Sequence, residues 1–131
     1  MLHKKPFALA VILIHLAVNV VHGLAHNSLR ITLTRTQQVF VLTVILAAPL
    51  LAGILLLIKA HRAGALLLLF SMAGSLLFGG YNHFVAIGAD NALYVASGPW
   101  SMAFQVTSAL LIVTEFLGCW AGFAMLRQPP Q

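Results

Sequence analysis

The stretch VFVLTVILAAPLLAGILLLI, residues 39–58, decides the fold class. It is twenty residues long and holds no charged side chain. An α-helix needs about 20 apolar residues to cross the roughly 30 Å hydrocarbon core of a bilayer. A strand of a membrane β-barrel is about half as long and alternates in polarity, which this stretch does not. The stretch therefore predicts a transmembrane helix.

Three further apolar runs of similar length surround this one. Together they predict a single transmembrane domain, residues 1–131, with helices at about 6–26, 38–58, 63–84 and 100–126. The link between the second and third runs is short, which favours antiparallel packing of those two helices. The expected architecture is an all-α membrane protein, an up-down bundle of four transmembrane helices.

The overall composition agrees with a lipid environment. Hydrophobic residues make up 61% of the chain and charged residues only 7%, whereas soluble domains are about 25% charged. The net charge of +5 does not predict nucleic-acid binding, because the basic residues lie singly at the ends of apolar runs and form no patch. The expected partners are the lipid bilayer and other membrane-embedded chains, with no nucleic acid.

The distribution of basic residues predicts the orientation. If all four runs span, one side of the membrane carries Lys4, Lys5, Lys59, Arg62 and Arg127, and the other carries Arg30 and Arg35 together with Asp90. Basic residues accumulate on the cytoplasmic side of membrane proteins. Both termini are therefore expected in the cytoplasm, and the expected location is the cytoplasmic (inner) membrane of a prokaryote.

Polar residues within the runs fall on narrow helix faces. A polar side chain on a spanning helix is costly and normally faces the protein interior. In the first run, His15, Asn19, His22 and His26 follow spacings of four, three and four, which places them on one face. Comparable stripes in the other runs are Ser71, Ser75 and Asn82, and Gln105, Ser108, Glu115 and Cys119. We expect a polar interior in which Asn19, Asn82, Gln105 and Ser108 support the histidines.

Two histidines one helical turn apart suggest a metal site in the outer half of the bundle. The segment His22-Gly-Leu-Ala-His26 places both rings on one face, about 6 Å apart, where they can chelate one ion. His83 lies at similar height on the third helix, although about 100° from Asn82, and Asp90 can fold back from a loop as an oxygen ligand. Zinc, copper and iron all accept imidazole ligands, so the pattern does not choose among them.

A b-type haem is the alternative cofactor. His22 or His26 would supply one axial ligand and His83 the other, from a different helix. Glycines beside the macrocycle would supply room: Gly23, Gly74, Gly79 and Gly80. Ordinary explanations also stand, because histidines near a membrane surface often bind headgroups and small residues often serve close helix packing.

Glu115 is the only acidic residue within an apolar run, and its expected depth matches that of His15. Counted at 1.5 Å per residue from the outer ends, His15 lies about 16 Å and Glu115 about 21 Å deep. We expect the two to form a buried polar pair. The pair is either a structural hydrogen bond between helices or a proton- or cation-coupling site with His15 as relay.

These features favour a small membrane protein that binds a transition metal or haem b for redox chemistry or metal handling. Two alternatives stay open. The chain can be a non-catalytic subunit of a larger membrane complex or homo-oligomer, or a proton-coupled transporter of a small solute that uses Glu115. No arrangement of nucleophile, histidine and acid is specific enough to predict a hydrolase, so the sequence leaves open whether the chain is an enzyme.

Overall fold

A computed structural model describes residues 4–127. These residues form four long helices and no strand: α1 Lys4–Ser28, α2 Arg35–Leu57, α3 His61–Val85 and α4 Ser101–Leu126. Each helix is long and apolar enough to cross a membrane. The prediction of an all-α chain with four long apolar helices is confirmed.

Contacts between opposite helix ends show that neighbouring helices are antiparallel. Near the start of α1, the Nζ of Lys4 donates a hydrogen bond of 2.9 Å to the carbonyl of Ala124, near the end of α4. Gly53, late in α2, faces Leu9 and Ile12, early in α1. One end of the bundle therefore carries the start of α1, the end of α4 and the turn at 58–60, and we call it the termini end. The other carries the connections 29–34 and 86–100, and we call it the loop end.

Helix α2 begins earlier than its apolar run because a capping box precedes the run. The Oγ1 of Thr34 accepts from the backbone N–H of Gln37 at 3.3 Å, and the side chain of Gln37 accepts from the N–H of Thr34 at 2.9 Å. This reciprocal pairing satisfies two donors that the first helical turn leaves free. The helix therefore starts at Arg35, one turn before the predicted residue 38.

Pro49 shapes the middle of α2. A proline inside a helix has no N–H to donate and its ring clashes with the carbonyl four residues earlier, here that of Ile45. The preceding segment, Val41–Ala47, widens into π-helical geometry, in which the N–H of Ala48 bonds to the carbonyl of Thr43. The carbonyl of Ile45 thereby becomes available to another partner.

Helices α3 and α4 make their closest approach near the termini end. A Cβ added at Gly122 would lie 2.8 Å from the carbonyl oxygen of Ala65 and 2.9 Å from the backbone nitrogen of Leu69. Only glycine permits this distance, as in other helix pairs packed through small residues. The apolar core of this half is formed by Ala8, Ile12, Ala52, Leu56, Leu68, Met72 and Ala121. The termini half is therefore closely packed.

Helices α1 and α2 end in the same motif. Arg30 and Lys59 adopt left-handed backbone conformations, with φ of 55° and 67°. Behind each, the next N–H reaches the carbonyl five residues back, Ile31 to His26 at 3.0 Å and Ala60 to Leu55 at 2.9 Å. These are Schellman endings, in which a left-handed residue reverses the chain.

Replacing Gly122 with alanine should destabilise the bundle, because the added methyl meets backbone atoms that cannot move aside separately. We expect a loss of about 1–3 kcal/mol, as for other overpacked cores, measured as a lower thermal midpoint in detergent. Gly23→Ala is the matched control, since nothing lies within 4 Å of a Cβ at that position. Equal effects of the two substitutions would contradict the close approach at Gly122.

Candidate metal centre

Three histidine rings converge inside the loop end. His22 and His26 lie one turn apart on α1, and His83 comes from the last turn of α3. One ring nitrogen from each residue lies within 4.8 Å of the other two. The ring of His22 contacts those of His26 and His83 edge to face, with centroids 4.8 Å apart in both pairs. His22 and His83 are buried and His26 is nearly so. We call these three residues the histidine cluster.

A second π-helical segment, Tyr81–Val85, carries His83. The buried face of α3 runs through Ser71, Ser75, Gly79 and His83, each four residues after the last. In an α-helix a spacing of four drifts around the axis, whereas the wider turns of a π-helix reduce that drift. His83 therefore faces inward, although α-helical geometry from Asn82 predicted it to lie off the interior face.

Helix α4 supplies the wall behind His22. The ring of Phe104, which is fully buried, stacks on the imidazole of His22 with centroids 4.9 Å apart. The Nδ1 of His22 lies 2.8 Å from the Oγ1 of Thr107. The Thr107 hydroxyl itself donates to the carbonyl of Ala103 at 2.6 Å, so its oxygen accepts the N–H of His22. Phe104 and Thr107 together fix the plane of this imidazole.

The connection 86–100 folds over the loop end and places Asp90 against the cluster. The Nδ1 of His83 donates to the backbone carbonyl of Asp90 at 2.9 Å. The Asp90 carboxylate Oδ1 lies 3.0 Å from the Nε2 of His26 and 3.1 Å from the Nδ1 of His83. Two further bonds hold the connection down, from the N–H of Ala92 to the carbonyl of His83 and from the amide of Gln105 to the carbonyl of Ala92, both 2.9 Å.

The protein orients each imidazole by one ring nitrogen and leaves others without partners. Thr107 and Asp90 contact one nitrogen of each ring, as described above. The Nε2 of His22 and the Nδ1 of His26 are buried and have no hydrogen-bond partner, and no well-aligned N–H points at Oδ1 of Asp90. Buried polar atoms are rarely left unpaired. Histidines that ligate a metal show this pattern, in which the outer nitrogen donates to a protein oxygen and the inner one is kept for the ion.

The electrostatics of Asp90 follow from its position. Burial alone would raise the pKa of the Asp90 carboxyl, but the adjacent rings of His26 and His83 hold it well below its usual range. Asp90 therefore carries a negative charge beside the cluster. Its carboxylate lies beside the outer nitrogens of His26 and His83. This position suits a residue that orients the two histidines better than one that binds the ion directly.

Comparisons with known proteins do not identify the site. The chain matches no known protein family, no curated protein and no solved structure. Function is therefore argued from the chemistry of specific residues.

His15 and Glu115 are both buried, as the expected polar pair requires, but no hydrogen bond joins them. The Nδ1 of His15 lies 3.2 Å from the Oγ1 of Thr114, and its Nε2 lies 3.2 Å from the carbonyl of Ile45 that Pro49 leaves free. Thr114 is one residue before Glu115, about 100° away around α4. The depth estimate placed His15 at the right level, but the rotation of α4 presents the threonine to it. Asn19 also bonds to His15.

Glu115 instead lines a cavity that it shares with the histidine cluster. The cavity measures about 420 Å³ and lies between all four helices. Glu115 is 1% exposed, and its Oε2 has no hydrogen-bond partner. A Cβ at Gly79 would lie 3.7 Å from that oxygen and 3.8 Å from Cδ2 of His83. A methyl group at position 79 would therefore contact both the carboxyl of Glu115 and the ring of His83.

The remaining polar residues divide by location. Asn19 lines the cavity, whereas the fully buried hydroxyl of Ser108 bonds to the carbonyl of Phe104. Asn82 is half-buried and bonds to the carbonyl of Phe78 and the side chain of Gln37. Gln105 lies on the exposed side of α4 and holds the 86–100 connection. Neither Asn82 nor Gln105 joins the histidine cluster.

Sequence reasoning missed Thr107 and Thr114, which orient His22 and His15. Both sit on the buried face of α4 with Ser108 and Glu115. Their spacing of seven residues, two helical turns, was the available signal. The hydroxyls of both threonines also bond to carbonyls of their own helix, so a threonine alone is a weak indication of a polar interior.

Replacing Asp90 with asparagine should destabilise the metal-free protein in a pH-dependent way. The folded-state pKa of Asp90 is lowered, so its stabilising contribution is complete above the unfolded value of about 4 and is lost as the pH falls below it. With a chelator present, the variant should be less stable by roughly 1 kcal/mol between pH 7 and 5. The difference should shrink towards pH 3. Thermal midpoints in detergent test this, and a difference that persists unchanged at pH 3 would contradict it.

Proposed function

We propose that this chain is an integral membrane protein that binds one transition-metal ion through His22, His26 and His83 at the loop end of the bundle. The observation that carries the proposal is the convergence of three imidazoles, two buried and one nearly so, each with a protein oxygen within about 3 Å of one ring nitrogen. Zinc, copper and iron are the candidate ions, because all three accept imidazole ligands. Metal handling or redox chemistry is the corresponding activity.

The surface of the bundle supports membrane insertion. Large apolar side chains project outward along the helices, among them Leu13, Phe70, Leu77, Met102 and Phe116, each more than half exposed. Water-soluble proteins rarely carry apolar surface on this scale. Five of the seven lysines and arginines lie towards the termini end: Lys4, Lys5, Lys59, Arg62 and Arg127. This bias supports a cytoplasmic termini end.

The spacing of the cluster suits an ion after a small adjustment. Zinc bonds to imidazole nitrogen at about 2.0–2.1 Å, so nitrogens around a tetrahedral ion lie roughly 3.3 Å apart. The three nitrogens now lie within 4.8 Å of one another, and rotations of the side chains close that gap. Three protein ligands leave a fourth position for water or another molecule, as in catalytic metal sites.

The cluster suits an ion better than haem b. An axial pair needs its two imidazoles on opposite faces of a macrocycle, with the iron between them. Here the rings of His22 and His83 touch edge to face, with centroids 4.8 Å apart, and His26 contacts His22 at the same distance. Of the glycines considered for a haem slot, Gly74 packs against Val44 and Gly80 against Ile112. No slot for a macrocycle separates the rings.

Replacing any one cluster histidine with alanine removes a full coordinate bond to the ion. It should weaken metal binding by more than about 100-fold, beyond the roughly 10–100-fold cost of losing an orienting partner, and so leave little metal bound. Elemental analysis of purified protein after equilibration with zinc, copper or iron gives the metal content. Thr107→Val should weaken binding by a smaller factor, about 10–100-fold in affinity at most, because it removes only the orienting partner of His22.

His61→Ala is the matched control, since this histidine is exposed at the termini end. It should bind as much metal as the unaltered protein. An absorption spectrum of the same samples distinguishes the two cofactors: a Soret band would show that the bound group is haem and not a metal ion alone. Absence of both metal and haem would overturn the proposal and favour a subunit or transporter role.

The orientation is tested by two cysteine substitutions in a Cys119→Ala background. Arg30 and Lys59 are both exposed and both left-handed, so Arg30→Cys and Lys59→Cys are matched in backbone and exposure. A membrane-impermeant thiol reagent added to intact cells should label the first and spare the second. Labelling at 59 without labelling at 30 would reverse the assigned orientation.

A further inference from the structure

The cavity beside the histidine cluster has the size and the lining of a small-molecule site. At about 420 Å³ it falls within the range of ligand pockets, about 300–1,000 Å³. Apolar side chains form most of its wall: Val41, Ile45, Leu46, Phe78 and Leu111. Half of the 18 lining residues have polar side chains, and these lie at separated positions from which they can orient a ligand.

The two ends of the cavity offer hydrogen-bond acceptors. At one end stand the buried nitrogens of His22 and His26 that have no partner, and at the other stands the Glu115 carboxyl, whose Oε2 has none either. Among the described residues that line the cavity, none is a lysine or an arginine. The lining therefore has no lysine or arginine to offset the charge of an anion, and the unpaired oxygen of Glu115 calls for a hydrogen-bonding partner.

Access is from the loop end. Asn27, Thr32 and Gln38, which are exposed, belong to the lining at that end. Below Glu115 the interior closes, since a Cβ at Gly118 would lie 2.5 Å from Cγ of the fully buried Met72. Glu115 therefore forms the floor of a pocket that ends within the bundle.

We propose that this pocket binds a compact, uncharged alcohol or phenol, with its apolar body along the wall and its hydroxyl donating a hydrogen bond to Glu115. This proposal rests on the proposed function, because the ligand lies beside the ion that the histidine cluster would hold. The ligand is uncharged because the lining has no lysine or arginine to neutralise an anion. A neutral ligand then adds no unpaired charge to an apolar space. A ligand in this cavity would lie beside the histidine cluster, where an ion held by three histidines would leave one position open to it.

Three molecules of nearly equal shape test the proposal: benzyl alcohol, ethylbenzene and benzylammonium. Each is titrated into the zinc-loaded and the metal-free full-length protein in detergent, and binding is followed by calorimetry. Benzyl alcohol should bind roughly tenfold more tightly than ethylbenzene to the zinc-loaded protein, which is the effect of one well-formed hydrogen bond. Tighter binding of benzylammonium would overturn the proposal in favour of a cation site.

Two variants connect the preference to the pocket. Glu115→Leu removes the acceptor and keeps the volume, so benzyl alcohol should lose its tenfold advantage while ethylbenzene binds as before. Gly79→Ala adds a methyl at ordinary contact distance, 3.7 Å from Oε2 of Glu115, and should weaken benzyl alcohol without unfolding the protein. A preference that survives in both variants reflects the detergent and would refute the site.

The zinc content of the same samples separates this proposal from the metal site. If zinc binds stoichiometrically and benzyl alcohol shows no advantage, the ligand proposal fails and the metal site stands. If zinc does not bind, the proposed function fails, and the pocket is judged by the metal-free titration alone. There, a tenfold advantage that Glu115→Leu abolishes supports the pocket, and no advantage overturns it.

Discussion

A polar group that is buried in an apolar bundle must find its partner inside the protein, and the arrangement of this interior depends on that constraint. Desolvation of an unpaired polar atom costs about 1–3 kcal/mol. His15 meets the constraint, since both of its ring nitrogens have partners on neighbouring helices. The histidine cluster and Glu115 do not, since buried atoms there have no partner. This contrast separates a structural histidine from candidate functional residues on the same face of α1.

The buried histidines find hydrogen-bond partners at places where the helices depart from α-helical geometry. Pro49 withholds a donor from the carbonyl of Ile45, and that carbonyl then serves His15. The π-helical end of α3 brings His83 to the interior, where the carbonyl of Asp90 accepts its N–H. π-Helical segments occur often at functional sites, because they change which residues face inward without ending the helix. Both segments of this protein border the cavity.

The two halves of the bundle have different packing and therefore different roles. At the termini end, Gly122 lets α3 and α4 approach to backbone contact, and a buried apolar cluster fills the space between the helices. At the loop end, imidazoles, a carboxylate and a cavity take the place of that core. The close packing of the termini half stabilises the whole bundle. It therefore offsets the free-energy cost of the unpaired polar groups in the loop half.

The sequence by itself determined the number and type of helices, because runs of some twenty apolar residues have one low-energy form in lipid. It also determined that His22 and His26 share a helix face, since a spacing of four residues is a local property. The start of α2 was predictable too, had the spacing of Thr34 and Gln37 been taken as a capping box. Depth along each helix followed from the rise per residue, which placed His15 near the level of α4 that it contacts.

Only the tertiary structure decided which residues meet across helices. The rotation of α4 about its axis makes Thr114, and not Glu115, the partner of His15. Helical periodicity within one segment does not determine how that helix is rotated relative to its neighbours. The inward turn of His83 required a π-helical segment, and the position of Asp90 required a connection that packs through Ala92 against the bundle. These choices depend on the simultaneous packing of four helices, whose energies arise from contacts distant in sequence.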